Sequence, residues 1–516
     1  MYLKKEEVIL GVVFFLFFAI AASPHIDGGD VQVYLSGAKG IFEGKGYTDI
    51  STPFEKPITI YPPVFSILLS PFFILGENAV FVAKLFVALL AAASLIIAKR
   101  LFEQIFDRKF SLLMTAAAGV SLLFYWYATK LLSEIPFLFF SLLSIYFFLL
   151  AEKENFGSNK PITKNQGLNF FAFSLLFLLI SFYTRTIGIT LAAAFAVVLL
   201  SKKQYRLFAI LAVIISAALF GWYLYTNAEV PGKDSYFDQF LRKDLYDYNS
   251  PPATISDFAE RVGGNSFFYF LNSIPETVFS PLQALVNFFG RQMLMPLSAF
   301  LFFVFIFGLV IFTKKNYFNV FSIYAIFYVI FLLFWPYADT SITNRFLLPV
   351  MPLLLMFFVF GLKSISETQW LRKISVKGLS FAALILILMC GVSLASDAYF
   401  IYTQEQRQFT PSYKDIQDVS SWLKENAAPG STVYSNEWQR IYLLSGIQGY
   451  ASPDHLNKPL LQQFFKKNNF TYVVLLNLDK PEEAEYWPEK PILQQMMSGK
   501  EVYTSKSGNA VVYKIN

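Results

Sequence analysis

Apolar stretches long enough to cross a lipid bilayer recur through most of this chain, and no other feature restricts its fold as strongly. A helix needs about 20 apolar residues to traverse the hydrocarbon core. Eleven stretches qualify as candidates: 7–23, 79–99, 110–128, 132–151, 168–184, 187–201, 206–226, 286–312, 317–335, 346–362 and 378–396. The fifth and sixth share one run, interrupted at Thr184–Gly188. Apolar residues make up 55% of the 516 positions and charged ones 15%, against about 25% charged in soluble domains. A water-soluble core cannot hide that much apolar surface, so lipid must cover part of it. The first stretch resembles a secretory leader, but AIAASPHID is a poor small-residue cleavage site and many spans follow. We therefore expect a retained helix.

Lysine and arginine positions set the expected orientation, since cytoplasmic loops carry the excess of both. With the N-terminus inside, the basic clusters Lys4–Lys5, Lys99–Arg100, Arg108–Lys109, Lys202–Lys203 and Lys314–Lys315 all fall inside, as do Lys153, Lys160, Lys164 and Arg206. Lys363, Arg372, Lys373 and Lys377 complete that set. The three short outer turns hold Lys130, Arg185 and Arg345, one each. Eleven spans then leave the C-terminal region outside.

Three outer segments exceed simple turns: Ser23–Asn78, Asn227–Leu285 and the tail Asp397–Asn516. The expected organisation is a membrane domain over 1–396, with large outer loops at 23–78 and 227–285, and a soluble domain over 397–516. In the tail, YKDIQDVSSWLKENAAPG has helical character with a glycine stop. STVYSN, TYVVLLN, EVYTS and NAVVYKI have strand character. Their alternation predicts a small α/β fold. No internal repeat is visible.

The first outer loop carries the most chemistry. Val31, Tyr34, Leu35, Ala38, Ile41 and Phe42 form one stripe of an α-helix. Gln32, Ser36, Lys39 and Glu43 fall on another face. The helix is too short to span and is expected in the interface plane. A second short apolar helix follows the stiff entry Tyr61-Pro62-Pro63. Asp30 opens the first helix after Gly-Gly, where an acid serves either as an N-cap or as a reactive carboxylate. Asp27 has the character of a loop residue. Glu134, beside Pro136, suits a first helical turn through the macrodipole, or a site. Arg185 and Arg345 sit on the outer side against the charge bias. They are either snorkelling anchors or ligands for an anionic headgroup such as phosphate. Lys130 and Arg291 are candidates of the same kind.

The composition also excludes several classes. A net charge of +6 with no aromatic-interleaved basic patch gives no nucleic-acid signature. The single cysteine, Cys390, rules out an intrachain disulfide and a Cys-based metal site. His25 and His455, the only histidines, have no ligand spacing. Carboxylates alone can hold Mg²⁺ or Mn²⁺, so a divalent metal stays open. No P-loop, G-x-S-x-G or H-E-x-x-H occurs.

The order of GDVQVYLSGAKGIFEGKGY, YPPVFSILLSPFFILGENAVFVAKL, SEIPFLFF, YTRTIGITLA and NRFLLPVMPLLL resembles the GT-C glycosyltransferases that use polyprenyl-phosphate sugars. Within them it is similar to the dolichyl-phosphate-mannose protein mannosyltransferases and the bacterial aminoarabinose transferases. The resemblance spans Val8–Gly361. It implies a multi-pass α-helical GT-C-like fold with about eleven transmembrane helices, interfacial helices in the first outer loop and a C-terminal α/β extracytoplasmic domain. It implies Asp30, four residues before Tyr34, as catalytic base, although Val31 stands where the family usually has a second acid. It implies Glu134 as a second catalytic acid, with Arg185 and Arg345 as phosphate ligands. Tyr61 replaces the family's basic residue before Pro-Pro. Tyr34, Tyr61, Lys130 and Arg291 complete the expected substrate-binding set.

The implied reaction is inverting transfer of a sugar, hexosyl or pentosyl, from a polyprenyl-phosphate donor to a lipid, glycan or protein hydroxyl at the outer face. No cofactor is required, the other partners are membrane lipids, and the implied location is the bacterial cytoplasmic membrane. Two other classes remain open on the residues alone. One is a lipid or polysaccharide transporter, which would favour charges at mid-membrane depth. The other is a scaffold whose outer domain binds a partner.

Overall fold

The computed structural model describes residues 4–155, 165–227, 235–244, 250–315, 319–336, 340–366, 380–407, 411–451, 458–476 and 490–515. Two compact units form, each from separated stretches of chain. The first comprises Met1–Ser23, Thr59–Phe65 and Phe81–Tyr399; the second comprises Pro24–Ile58, Ser66–Val80 and Phe400–Asn516.

In chain order, α1 (Lys5–Ala19) precedes α2 (Asp30–Phe42) and the two-residue strands β1 (Thr48–Asp49) and β2 (Lys56–Pro57). Then come α3 (Val64–Leu69), a 3-10 segment Ser70–Asn78, α4 (Ala79–Phe102), α5 (Arg108–Gly119), α6 (Leu122–Tyr127), α7 (Glu134–Asn155), α8 (Asn165–Phe182), α9 (Ile189–Ser201) and α10 (Tyr205–Thr226). Shorter helices α11 (Tyr236–Leu241), α12 (Ile255–Phe268), α13 (Ile274–Val278) and α14 (Pro281–Phe289) lead to α15 (Arg291–Lys315), α16 (Val320–Phe334), α17 (Thr340–Leu347), α18 (Met351–Ser366) and α19 (Phe381–Arg407). The tail follows with α20 (Pro411–Asn426), β3 (Val433–Tyr434), α21 (Trp438–Ser445), β4 (Gly449–Tyr450), α22 (Lys458–Asn468), β5 (Tyr472–Leu476), α23 (Lys490–Met497), β6 (Glu501–Thr504) and β7 (Ala510–Lys514).

Each of the eleven expected stretches contains helix. Six helical runs among the described residues are long and apolar enough to cross a membrane: Val64–Phe102, Glu134–Glu154, Tyr205–Thr226, Arg291–Lys315, Asn344–Ser366 and Phe381–Tyr399. Gln166–Phe182, Thr186–Ser201 and Val320–Phe334 are apolar but shorter. The stretch 110–128 is broken: α5 stops at Gly119, and the Ser121 hydroxyl accepts from the Phe124 N–H at 3.3 Å to cap α6. The expected interruption at Thr184–Gly188 is present as a single 3-10 turn, Thr186–Gly188.

Within the first unit, α18 is central and α10 peripheral. Of their apolar stretches, 83% and 17% respectively are buried. Lipid cannot drive apolar helices together, so small residues and interhelical hydrogen bonds set the close contacts. The Ser144 hydroxyl donates to the Ser174 carbonyl at 2.8 Å, and Ser174 returns a bond to the Ser144 carbonyl at 2.9 Å, joining α7 to α8. Helices α15 and α18 meet backbone to backbone: a Cβ on Gly308 would lie 1.9 Å from the Phe357 carbonyl oxygen. Buried Glu7, at the start of α1, accepts two bonds from Arg100 of α4, at 2.9 and 2.6 Å.

The second unit centres on a five-stranded sheet in the order β4-β3-β5-β7-β6. Strand β3 runs parallel to β4 and β5, while β7 runs antiparallel to β5 and β6. Alternation along β5 splits the core into two layers. Tyr472, Val474 and Leu476 pack with α20 and α21, whereas Val473 and Leu475 pack with α22 and α23. The four expected strands are present; β4, only two residues long, carries too little pattern to be recognised in the sequence.

The apolar stripe of α2 is buried in this same unit. Val31, Tyr34, Leu35 and Ala38 are each at most 1% exposed. The Ser66 hydroxyl donates to the Tyr34 carbonyl at 3.0 Å, fixing α2 against the second short helix of the loop.

Candidate active site

Asp30 and Tyr34 belong to the second unit; Tyr61, Lys130, Glu134, Arg185, Arg291 and Arg345 belong to the first. Each group is described within its own unit.

The N-cap of α2 is Gly29, and Asp30 follows as the first helical residue. Gly29 has φ +68° and ψ −135°, a region that residues bearing a Cβ rarely adopt. This turn delivers Asp30 to the first helical position, half-buried and next to the positive end of the macrodipole. The N-cap position itself is thus taken by the glycine. Tyr34 is 1% exposed and packs in the interior of the unit.

In the first unit, three of the expected residues converge. Glu134 opens α7 and is fully buried. Its Oε1 pairs with Arg185 Nη1 and, at 2.5 Å, with Arg345 Nε. Arg185 sits in the break between α8 and α9, and its Nη1 also donates to the Ser133 hydroxyl at 3.1 Å. Arg345 comes from α17. One carboxylate thus holds two guanidiniums side by side, and the trio keeps a net positive charge. The arginine side chains stay 11% and 15% exposed.

A second acid-centred group lies beside it in the same unit. Glu276 of α13 receives a bond from Asn344 Nδ2 at 2.7 Å and pairs with Arg291 Nη1 at 2.9 Å. Asn344 and Arg345 are consecutive on α17, so this one helix serves both acids. The residue-level reading missed Glu276 and Asn344. The available signal was I-P-E at Ile274–Glu276, an acid beside proline in an apolar run, like Glu134-Ile135-Pro136. Tyr61 packs edge-on against Tyr236, 5.7 Å between centroids, and Lys130 lies 5.3 Å over the Trp126 ring. Among the described residues no three His, Cys, Asp or Glu side chains come together as metal ligands, and His455 lies outside the described residues.

These features define a largely helical protein with several helices long and apolar enough to cross a membrane and a unit built on a five-stranded sheet. No family model and no curated protein sequence matches the chain. Solved structures do. The archaeal oligosaccharyltransferase AglB from Archaeoglobus fulgidus, in complex with an inhibitory peptide and a dolichol-phosphate, matches with TM-score 0.59 at 14% identity, over 99% of this chain and 74% of its own. ArnT from Cupriavidus metallidurans in the apo state matches with TM-score 0.57 at 14% identity, over 98% and 97%. The same ArnT bound to undecaprenyl phosphate matches with TM-score 0.55 at 13% identity. The GT-C-like, largely helical fold expected from the sequence is therefore the fold shared with these structures.

Proposed function

We propose that the protein is a glycosyltransferase that moves a sugar from a polyprenyl-phosphate donor to an acceptor hydroxyl at the outer face of a bacterial cytoplasmic membrane. The observation that carries this reading is the pair of guanidiniums on Glu134. Two arginines held together on a buried carboxylate suit a phosphate, which arginine grips in bidentate fashion. Support also comes from the solved neighbours, whose structures contain dolichol-phosphate and undecaprenyl phosphate.

In the proposed reaction the acceptor oxygen attacks the anomeric carbon, forming the new glycosidic bond. The bond from that carbon to the phosphate oxygen breaks with inversion. Asp30 takes the hydroxyl proton, and the polyprenyl phosphate departs with the bonding electron pair. Arg185 and Arg345 offset the charge developing on the phosphate, as any preorganised cationic site does. Glu134 fixes the spacing of the two arginines. Arg291, held by Glu276, extends the cationic face, and Tyr61 and Lys130 flank the substrates. No step is routed through a metal.

Mass spectrometry of lipid that co-purifies with the protein tests the donor class: a bound polyprenyl phosphate is expected, and its loss in Arg185→Gln plus Arg345→Gln. Asp30→Asn should lower transfer by about 10²–10⁴-fold while retaining that lipid. Near-native turnover in folded Asp30→Asn protein removes Asp30 as base.

A further inference from the structure

Gln32, Ser36 and Lys39 lie four and then three positions apart, so they form a polar stripe on α2 beside the apolar one. This stripe faces α21 of the C-terminal domain. Gln32 Nε2 donates to Glu437 Oε2 at 3.1 Å. Ser36 donates to Asp49 Oδ1 at 2.5 Å, and Gln439 Nε2 donates to Asp49 Oδ2 at 3.2 Å, so Asp49 bridges the two helices. Lys39 Nζ sits 4.4 Å over the Tyr442 ring. Gln32 and Ser36 are 5% and 0% exposed.

The contact extends past the start of α2. Arg440 pairs with Glu437 at 3.4 Å. A Cβ on Gly28 would meet Arg440 Nη2 at 2.7 Å, so the guanidinium lies directly against the glycine turn that launches Asp30. Next to the stripe, Gln448 Nε2 donates to the Ile50 and Thr52 carbonyls, and the Gly449 N–H donates to the Ser51 carbonyl at 2.9 Å. Three turns of α2 and the loop after it are therefore held by one corner of the tail's sheet, the β3–α21 junction and β4.

We infer that this corner is a positioning device for Asp30, with Glu437 and Arg440 as positioning residues acting through Gln32 and the Gly28–Gly29 turn. The inference rests on Asp30 being the base. A carboxylate must reach a proton within hydrogen-bond distance, and a misplacement of about 1 Å costs about 10²-fold. The polar stripe supplies what an apolar seam lacks: hydrogen bonds that fix the rotation and height of the helix, and so the place of its first carboxylate.

The test uses the full-length protein, with radiolabelled polyprenyl-phosphate hexoses and pentoses as donors and membrane lipid extract as acceptor. Hydrogen exchange at the amides of residues 31–35 is read in parallel. Glu437→Ala and Gln32→Ala should each speed exchange there and lower kcat about tenfold to a hundredfold, with donor KM and undecaprenyl phosphate binding unchanged. The two effects should be less than additive in the double variant, because both remove the Gln32–Glu437 hydrogen bond. Glu437→Gln, which keeps an acceptor for Gln32, should recover most of the exchange protection. Unchanged exchange in Glu437→Ala, or additive losses in the double variant, overturns the inference. Failure of the underlying reading registers separately: Asp30→Asn then keeps full turnover whatever the Glu437 variants do.

Discussion

Gly29 and Asp30 divide between them two tasks that their sequence places on one acid. The glycine adopts the left-handed turn and the acid occupies the first helical position. Gly29→Ala should destabilise the second unit by about 1–3 kcal/mol, the usual cost of a sparsely populated backbone region. Thermal unfolding followed on the C-terminal domain's tryptophans measures it, and an unshifted melting temperature contradicts the assignment. At this scale the sequence was partly transparent. Arg185, Arg345 and Glu134 each stood out because charge at the ends of apolar helices is costly and needs a reason. That the two arginines share one oxygen of Glu134 was not visible, because it depends on which helix ends meet. Glu276 was hidden for another cause: its neighbours on α13 and α14 resemble an outer loop until the packing of α13 against α17 is known.

Helix contacts in the first unit divide into strong and weak by the same physics. The reciprocal Ser144–Ser174 bonds join α7 and α8, yet such interhelical bonds in a membrane average about 0.6 kcal/mol. The Gly308–Gly361 contact is unforgiving, because the atoms opposing a new Cβ are backbone at 1.9 and 2.3 Å. Overpacking of that kind costs about 1–3 kcal/mol or more. Gly308→Ala should therefore lower the melting temperature in detergent well beyond Ser144→Ala; the reverse order would contradict this packing. Periodicity and length gave the helices their existence and approximate bounds. They did not give the break at Gly119–Ser121, since an apolar run interrupted by Gly-Val-Ser still scores as one stretch. Nor did they give the role of the α2 polar stripe. Polar residues on a short amphipathic helix suit water as well as a hydrogen-bonding partner helix, and the partner lies 405 positions away.

At the scale of the whole molecule, the second unit is built from the tail together with two stretches near the start of the chain. The sequence boundary near 397 marks where composition changes; the folding boundary encloses Pro24–Ile58 and Ser66–Val80 as well. A chain ending after α19 should keep the Ser144–Ser174 helix pair intact. Its α2 amides should exchange far faster than in the full protein, because Glu437, Gln439 and Tyr442 are missing. Equal protection in both chains would show that the loop folds alone.

The same interleaving imposes an order on biogenesis. The loop with Asp30 emerges from the ribosome early, and the surface it matches emerges about 400 residues later. Until α21 is made, the polar face of α2 lacks Glu437, Gln439 and Tyr442, and on the inference above Asp30 is not held in place. On the reaction proposed above, a half-made chain already in the bilayer would therefore be unable to spend lipid-linked sugar, and competence would arrive only once the residues around Glu437 to Tyr442 had been made.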